Sequence, residues 1–191
     1  MDSNLLLDHE NAGRILEEGW LLFQQKGYRG VTVDELCLRC GVTKPTLYYY
    51  FHDKETLFVQ VLQHKLHGFH TVMEHPGSLA QRLQAVAASI LESFQNEYTA
   101  LLRDREHIKD PEHLRSIRDA FHSELFGPLN DLMQSGIERG ELAGSSPELF
   151  SLAFLGIINN FIGRSVEMHM ENSALAGVLT RYFLEGVLRR E

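Results

Sequence analysis

Residues 32–51, TVDELCLRCGVTKPTLYYYF, read as two short helices separated by a glycine turn. Thr32 followed by Glu35 has the form of a capping box, which opens a helix through about Cys40. Gly41 permits a tight turn. Thr43 then caps a second helix, with Pro45 tolerated in its first turn. At about 100° per residue, Leu47 and Phe51 form one stripe of that helix, which must pack inward. Pro45 and Tyr49 project roughly opposite the stripe, flanked by Thr46 and Tyr48. The outward face is therefore hydroxyl-bearing and aromatic, and it carries no acid. Hydroxyls reach phosphates and base edges, and apolar edges meet thymine methyls. Helix, turn, helix within about twenty residues is the helix-turn-helix pattern of DNA-binding domains. The plainer alternative is that the tyrosines cover a neighbouring helix.

The flanking sequence completes a small helical domain. Ala12, Ile15, Leu16, Gly19, Leu22 and Phe23 lie on one helical face that ends at Gly27, a glycine stop. Asp53 caps a fourth helix running through Leu57, Phe58, Val61 and Leu62 towards Phe69. Residues Gly27–Leu36 and Gly41–Phe58 resemble the amino-terminal domain of the tetracycline-repressor-like (TetR) family, and the resemblance covers about residues 9–60 without a gap. It implies an all-α fold: a three-helix helix-turn-helix domain followed by a helical ligand-binding and dimerisation domain. It implies a homodimer that binds double-stranded operator DNA and a small-molecule effector. By position, Thr32, Thr43, Lys44, Pro45, Thr46, Tyr48, Tyr49 and Lys54 are the expected DNA contacts, with Tyr50 and His52 as further backbone contacts. Lys54, at the start of helix four, is expected to meet a phosphate beside the positive helix end. The chain departs from the family pattern in placing cysteines where alanine is usual, and in having no basic excess.

Charge does not itself point to nucleic acid. The net charge is −8, and residues 1–66 hold seven Lys/Arg against nine Asp/Glu. The DNA reading rests on local pattern, and modest non-specific affinity is expected. The amino terminus is acidic and has no secretory-signal pattern. The most apolar stretch, residues 149–163, is shorter than the ~20 residues a bilayer requires and contains Asn159 and Asn160. No membrane association is expected, and the location expected is the cytoplasm. Cys37 and Cys40 form a C-x-x-C, which elsewhere serves redox or metal chemistry. Here both fall on the inward face of a short helix beside Leu36 and read as packing residues.

His75-Pro76-Gly77-Ser78 breaks the helical pattern and sets the expected domains at 1–75 and 76–191. Beyond it come a helix from Leu79 to Tyr98 and a long helix from Leu114 to Gly136, with a kink at Pro128. A helix opened by Ser146-Pro147 then runs to Met168, and a last one extends from about Ser173 to Arg190. The wide apolar faces of the last two exceed what one subunit buries, which points to pairing. Phe94, Tyr98, Phe121, Phe126, Met133 and Asn159 are the candidate lining of a largely apolar pocket, and each also fits plain core. His64, His67 and His70 recur on helix four. They fit a solvated or inter-domain face better than a metal site, because a third ligand rarely converges from one helix. No cofactor is implied. No nucleophile elbow, phosphate loop or H-E-x-x-H motif points to an enzyme. The expected function is therefore a repressor released from its operator by a small, largely apolar ligand. A redox- or metal-responsive regulator and, more weakly, a helical enzyme stand as alternatives.

Overall fold

The computed structural model describes residues 3–94, 107–144 and 146–186, and their regular structure is all helical. The helices are α1 (Ser3–Gly30), α2 (Val33–Cys40), α3 (Lys44–Phe51), α4 (Lys54–Glu74), α5 (Leu79–Ser93), α6 (Pro111–Phe121), α7 (Gly127–Glu138), α8 (Pro147–Phe161) and α9 (Asn172–Glu185). They fall into two compact units. One comprises the described residues up to 65 together with 107–119; the other comprises 66–94 and 120–186. The division runs inside α4, whereas the sequence break lies at residues 75–78. Phe69 and Met73, before that break, belong to the core of the second unit.

In the first unit, the apolar stripe of α1 buries Ile15, Leu22 and Phe23. Gly27 leaves helical geometry at φ 69° and ψ 169°, a region that glycine enters without penalty, and so turns the chain where the pattern stops. Gly19 lets α4 come close: a Cβ there would lie 3.1 Å from Val61 Cγ2. Phe23 meets Phe58 edge to face at 5.0 Å between centroids. Residues 109–113 are held by Glu55 near the start of α4. Its carboxylate accepts from the backbone N–H groups of Lys109 (3.3 Å) and Asp110 (3.0 Å), and lies 2.9 Å from His113 Nδ1. Burial alone would raise this carboxyl's pKa, but the three hydrogen bonds outweigh it and the net shift is downward.

In the second unit, Leu83, Val86, Ala87 and Ile90 of α5 pack with Leu129, Leu132 and Met133 of α7, Phe154 and Ile158 of α8, and Leu175 and Leu179 of α9. Ser78 opens α5 with a complete capping box: Gln81 N–H donates to its hydroxyl at 3.3 Å, and Ser78 N–H donates to the Gln81 side chain at 2.9 Å. α6 passes into α7 through one π-helical turn, His122–Phe126. Pro128 has no N–H for the carbonyl four residues back, and its ring crowds that carbonyl. The chain answers with the wider turn, in which Gly127 N–H donates to His122 O. A Cβ at residue 127 would lie 2.8 Å from that oxygen, so glycine is required there. Two helices end sooner than their apolar runs. α8 stops at Phe161, because Gly163 takes φ 74° and residues 164–170 fold into successive turns closed by Met168 N–H to Arg164 O (3.0 Å). α5 stops at Ser93, with Phe94 as its extended cap.

Gly136 is closely packed in the second core, with a Cβ there 2.8 Å from Leu79 Cδ2 and 3.2 Å from Leu142 Cδ1. Gly136→Val is expected to destabilise the protein by about 1–3 kcal/mol through overpacking. Urea unfolding reads this directly, and an unmoved midpoint would mean that α7 does not meet Leu79 and Leu142 here.

Candidate nucleic-acid interface

Two side-chain caps fix the geometry of the helix-turn-helix. Thr32 Oγ1 accepts from Glu35 N–H at 3.2 Å, and Thr43 Oγ1 accepts from Thr46 N–H at 3.3 Å. The expected capping box at Thr32 is only half formed, since the Glu35 carboxylate pairs with Lys26 of α1 instead. Between the helices Gly41 adopts φ 63° and ψ 34°, and its N–H closes the end of α2 on Cys37 O and Leu38 O.

α3 buries Leu47 completely and Phe51 nearly so, and turns the opposite face to solvent. Tyr49 is 71% exposed and Tyr48 42%. Thr43, Lys44 and Pro45 are exposed and Thr46 half-buried, its hydroxyl 2.8 Å from that of Thr43. Thr32 is also exposed. Tyr49 and Tyr50 meet edge to face at 5.2 Å, so the aromatic face is ordered by its own contacts. The exposure of Tyr48 and Tyr49 removes the reading in which both cover a neighbouring helix of this unit.

Two lysines behave differently from each other. Lys44 Nζ lies 2.7 Å from Asp34 Oδ1, and its hydrogen bond to that carboxylate holds its pKa above the usual value. It stays cationic on the surface, where any phosphate would share it with Asp34. Lys54 does not present its ammonium as sequence position implies. It donates to Tyr28 O at 2.8 Å and Val31 O at 2.9 Å, and lies 4.3 Å from the centroid of the Tyr28 ring. The turn after Gly27 leaves those carbonyls outside a helical ladder, and a cation at the start of α4 satisfies them. Lys54 thus ties the end of α1 to α4.

The cysteines also separate. Cys40 is buried and Cys37 only half-buried, so the inward placement expected of both is met by one. Burial first and Glu18 second push the Cys40 thiol up to about 11; burial and then Asp34 raise Cys37. Thiols so shifted remain protonated at neutral pH and are poor nucleophiles.

Residues 15–61 match the family model described as bacterial regulatory proteins, tetR family. Over those residues the chain is similar to the tetR family of bacterial regulatory proteins. The transcriptional activator FasR of Mycolicibacterium smegmatis is 26% identical over 115 residues, covering 57% of this chain and 52% of that protein. The icaADBC negative transcriptional regulator IcaR of Staphylococcus aureus (strain Newman) is 24% identical over 122 residues, covering 64% and 63%. The chain thus spans less than two thirds of the length of these curated relatives. The crystal structure of the regulator FadR from Bacillus subtilis, in complex with stearoyl-CoA, superposes with a TM-score of 0.70 at 18% identity over 92% of this chain and 98% of that one. The likeness to FadR shows a shared all-α fold.

The candidate pocket residues are only partly brought together. Phe121 and Phe126 stack at 6.3 Å, and Phe94 stacks on Phe69 at 6.0 Å. Met133 is wholly buried, and Asn159 carries a buried side-chain oxygen with no partner among the described residues. Tyr98 lies outside the described residues. A surface cleft lined by Met73, Glu74, Arg82, Pro128, Asp131 and Ser135, among others, includes none of the six.

Lys54→Met keeps the aliphatic stem and removes the charge-assisted donor. It is expected to lower the stability of the DNA-binding domain by about 1–3 kcal/mol. Thermal unfolding followed by circular dichroism checks this, and an unchanged transition would return Lys54 to the surface.

Proposed function

We propose that the protein is a cytoplasmic, homodimeric transcriptional repressor that reads operator DNA with α3 and releases it when a small, largely apolar ligand enters its second unit. The observation that carries the reading is the exposed face of α3 within a TetR-family domain: Tyr48 and Tyr49 project into solvent beside the capped Thr43–Thr46 turn. Thr32, Thr43, Lys44, Pro45, Thr46, Tyr48 and Tyr49 are the proposed contacts. Tyrosine supplies a hydroxyl for phosphate or base edge and a ring for sugar and thymine methyl.

Pairing is supported by α8 and α9. Leu149 and Leu152 are 67% and 57% exposed on α8, and Tyr182 is 53% exposed on α9. A second copy would cover them. The ligand reading is supported by unsatisfied polar atoms in an otherwise apolar core. The hydroxyls of Ser151 and Thr180 and the side-chain oxygens of Asn130 and Asn159 are buried without partners among the described residues. Buried oxygens of that kind are stabilised by a donor, which an incoming polar group would bring. FadR is described with stearoyl-CoA bound, and a ligand carrying an apolar acyl chain is the class we propose for the second unit. The ligand drives release only to the extent that it binds the DNA-free arrangement more tightly. Redox sensing by Cys37 and Cys40 is disfavoured by their raised thiol pKa values.

Tyr49→Ala is expected to weaken binding to an operator duplex by about 1–3 kcal/mol, with the fold intact by circular dichroism. Fluorescence anisotropy on a duplex selected by the parent protein measures it. Unchanged affinity would remove α3 from the interface.

A further inference from the structure

α4 presents His67 and His70 one turn apart, and the structure supplies from elsewhere the third group that a single helix cannot. His67 Nδ1 lies 2.9 Å and His70 Nδ1 3.1 Å from the same oxygen, Glu124 Oε2. Glu124 sits within the π-helical turn His122–Phe126, which Gly127 and Pro128 impose between α6 and α7. Such turns redirect side chains that a regular helix would carry elsewhere, and they recur at functional sites.

We propose that His67, His70 and Glu124 form a binding site for a divalent transition-metal ion of the zinc class. The three ligand atoms lie within 4.8 Å of one another. Zinc takes nitrogen at about 2.0–2.1 Å and carboxylate oxygen at about 2.0–2.2 Å, so tetrahedral ligand atoms stand about 3.3 Å apart. The observed 2.9 and 3.1 Å separations need to open by only a few tenths of an ångström. An outer contact also suits a metal. Ser123 Oγ is placed to donate to Glu124 Oε1 at 3.3 Å. Metal-bound imidazoles and carboxylates are commonly oriented by such second partners. His67 is exposed, and His70 and Glu74 also line the cleft with Arg82 and Asp131, which gives the ion an entry path and leaves the fourth position to water. Two imidazoles and one carboxylate, without thiolate, favour zinc, cobalt or nickel over calcium or magnesium.

The site stands independently of the DNA-binding reading, and its test needs no DNA. Cobalt(II) is titrated into the full chain carrying Cys37→Ser and Cys40→Ser, which removes thiolates as competing ligands, and visible absorption is followed before displacement by zinc. One ion per chain is expected. His67→Ala and Glu124→Gln should each weaken binding by more than about tenfold, since loss of an outer partner alone typically costs ~10–100-fold. His64→Ala, on the same helix but paired with Glu17 at 3.1 Å, should leave it unchanged. His67 is exposed and Glu124→Gln preserves shape, so circular dichroism of these variants should match the parent. No stoichiometric binding by the parent, or equal affinity in the parent, His67→Ala and Glu124→Gln proteins, would overturn the proposal. So would a loss in His64→Ala equal to that in His67→Ala.

Discussion

An eight-residue helix is too short to persist in water without tertiary support, and α3 is eight residues long. It exists because Leu47 and Phe51 are buried, and the first unit is organised around that burial. α2, equally short, packs against it across Gly41. α1 supplies Ile15, Leu22 and Phe23, and α4 supplies Leu57, Phe58 and Val61 to the same unit's buried set. The Lys54 ammonium then ties the glycine-broken end of α1 to the first turn of α4. With one face of α3 committed to the interior, Tyr49 on the opposite face must project outward.

The charge pattern around α3 explains how an acidic protein fits a DNA-binding role. Three cations of the helix-turn-helix region are paired with acids: Lys44 with Asp34, Arg39 with Glu18 and Lys26 with Glu35. A phosphate that recruits any of them competes with a carboxylate for the cation, so the gain from counterion release is reduced. On the proposed contacts, affinity would lean on Tyr48, Tyr49 and the threonine hydroxyls, and any of these that meet base edges carry sequence information that phosphate pairing does not. Such a surface favours discrimination over general attraction to DNA.

Features written in a few neighbouring residues were legible in the sequence. Thr43 with Thr46, Asp53 with Thr56 and Ser146 with Leu149 are caps whose partners lie three residues away, and each forms. The glycine stops at Gly27 and Gly41 are equally local. What escaped depends on distant partners. Lys54 has the position of a phosphate contact, and only the unsatisfied carbonyls of Tyr28 and Val31, more than twenty residues earlier, turn it inward. Glu35 completes a capping motif on paper, but Lys26 claims its carboxylate. The meeting of His67, His70 and Glu124 needs a π-helical turn, of which Pro128 gave only the hint of a kink. The apolar run into Met168 outlasted α8 because periodicity does not register a glycine such as Gly163 entering the left-handed region.

The central claim is that two copies of α3 enter successive major grooves of one duplex. Hydroxyl-radical footprinting of the full-length protein on a selected duplex tests it most directly. The account predicts two related protected half-sites whose centres lie about 10–10.5 base pairs apart or at a multiple of that spacing. A single unpaired half-site, or uniform protection along the whole duplex, would contradict it.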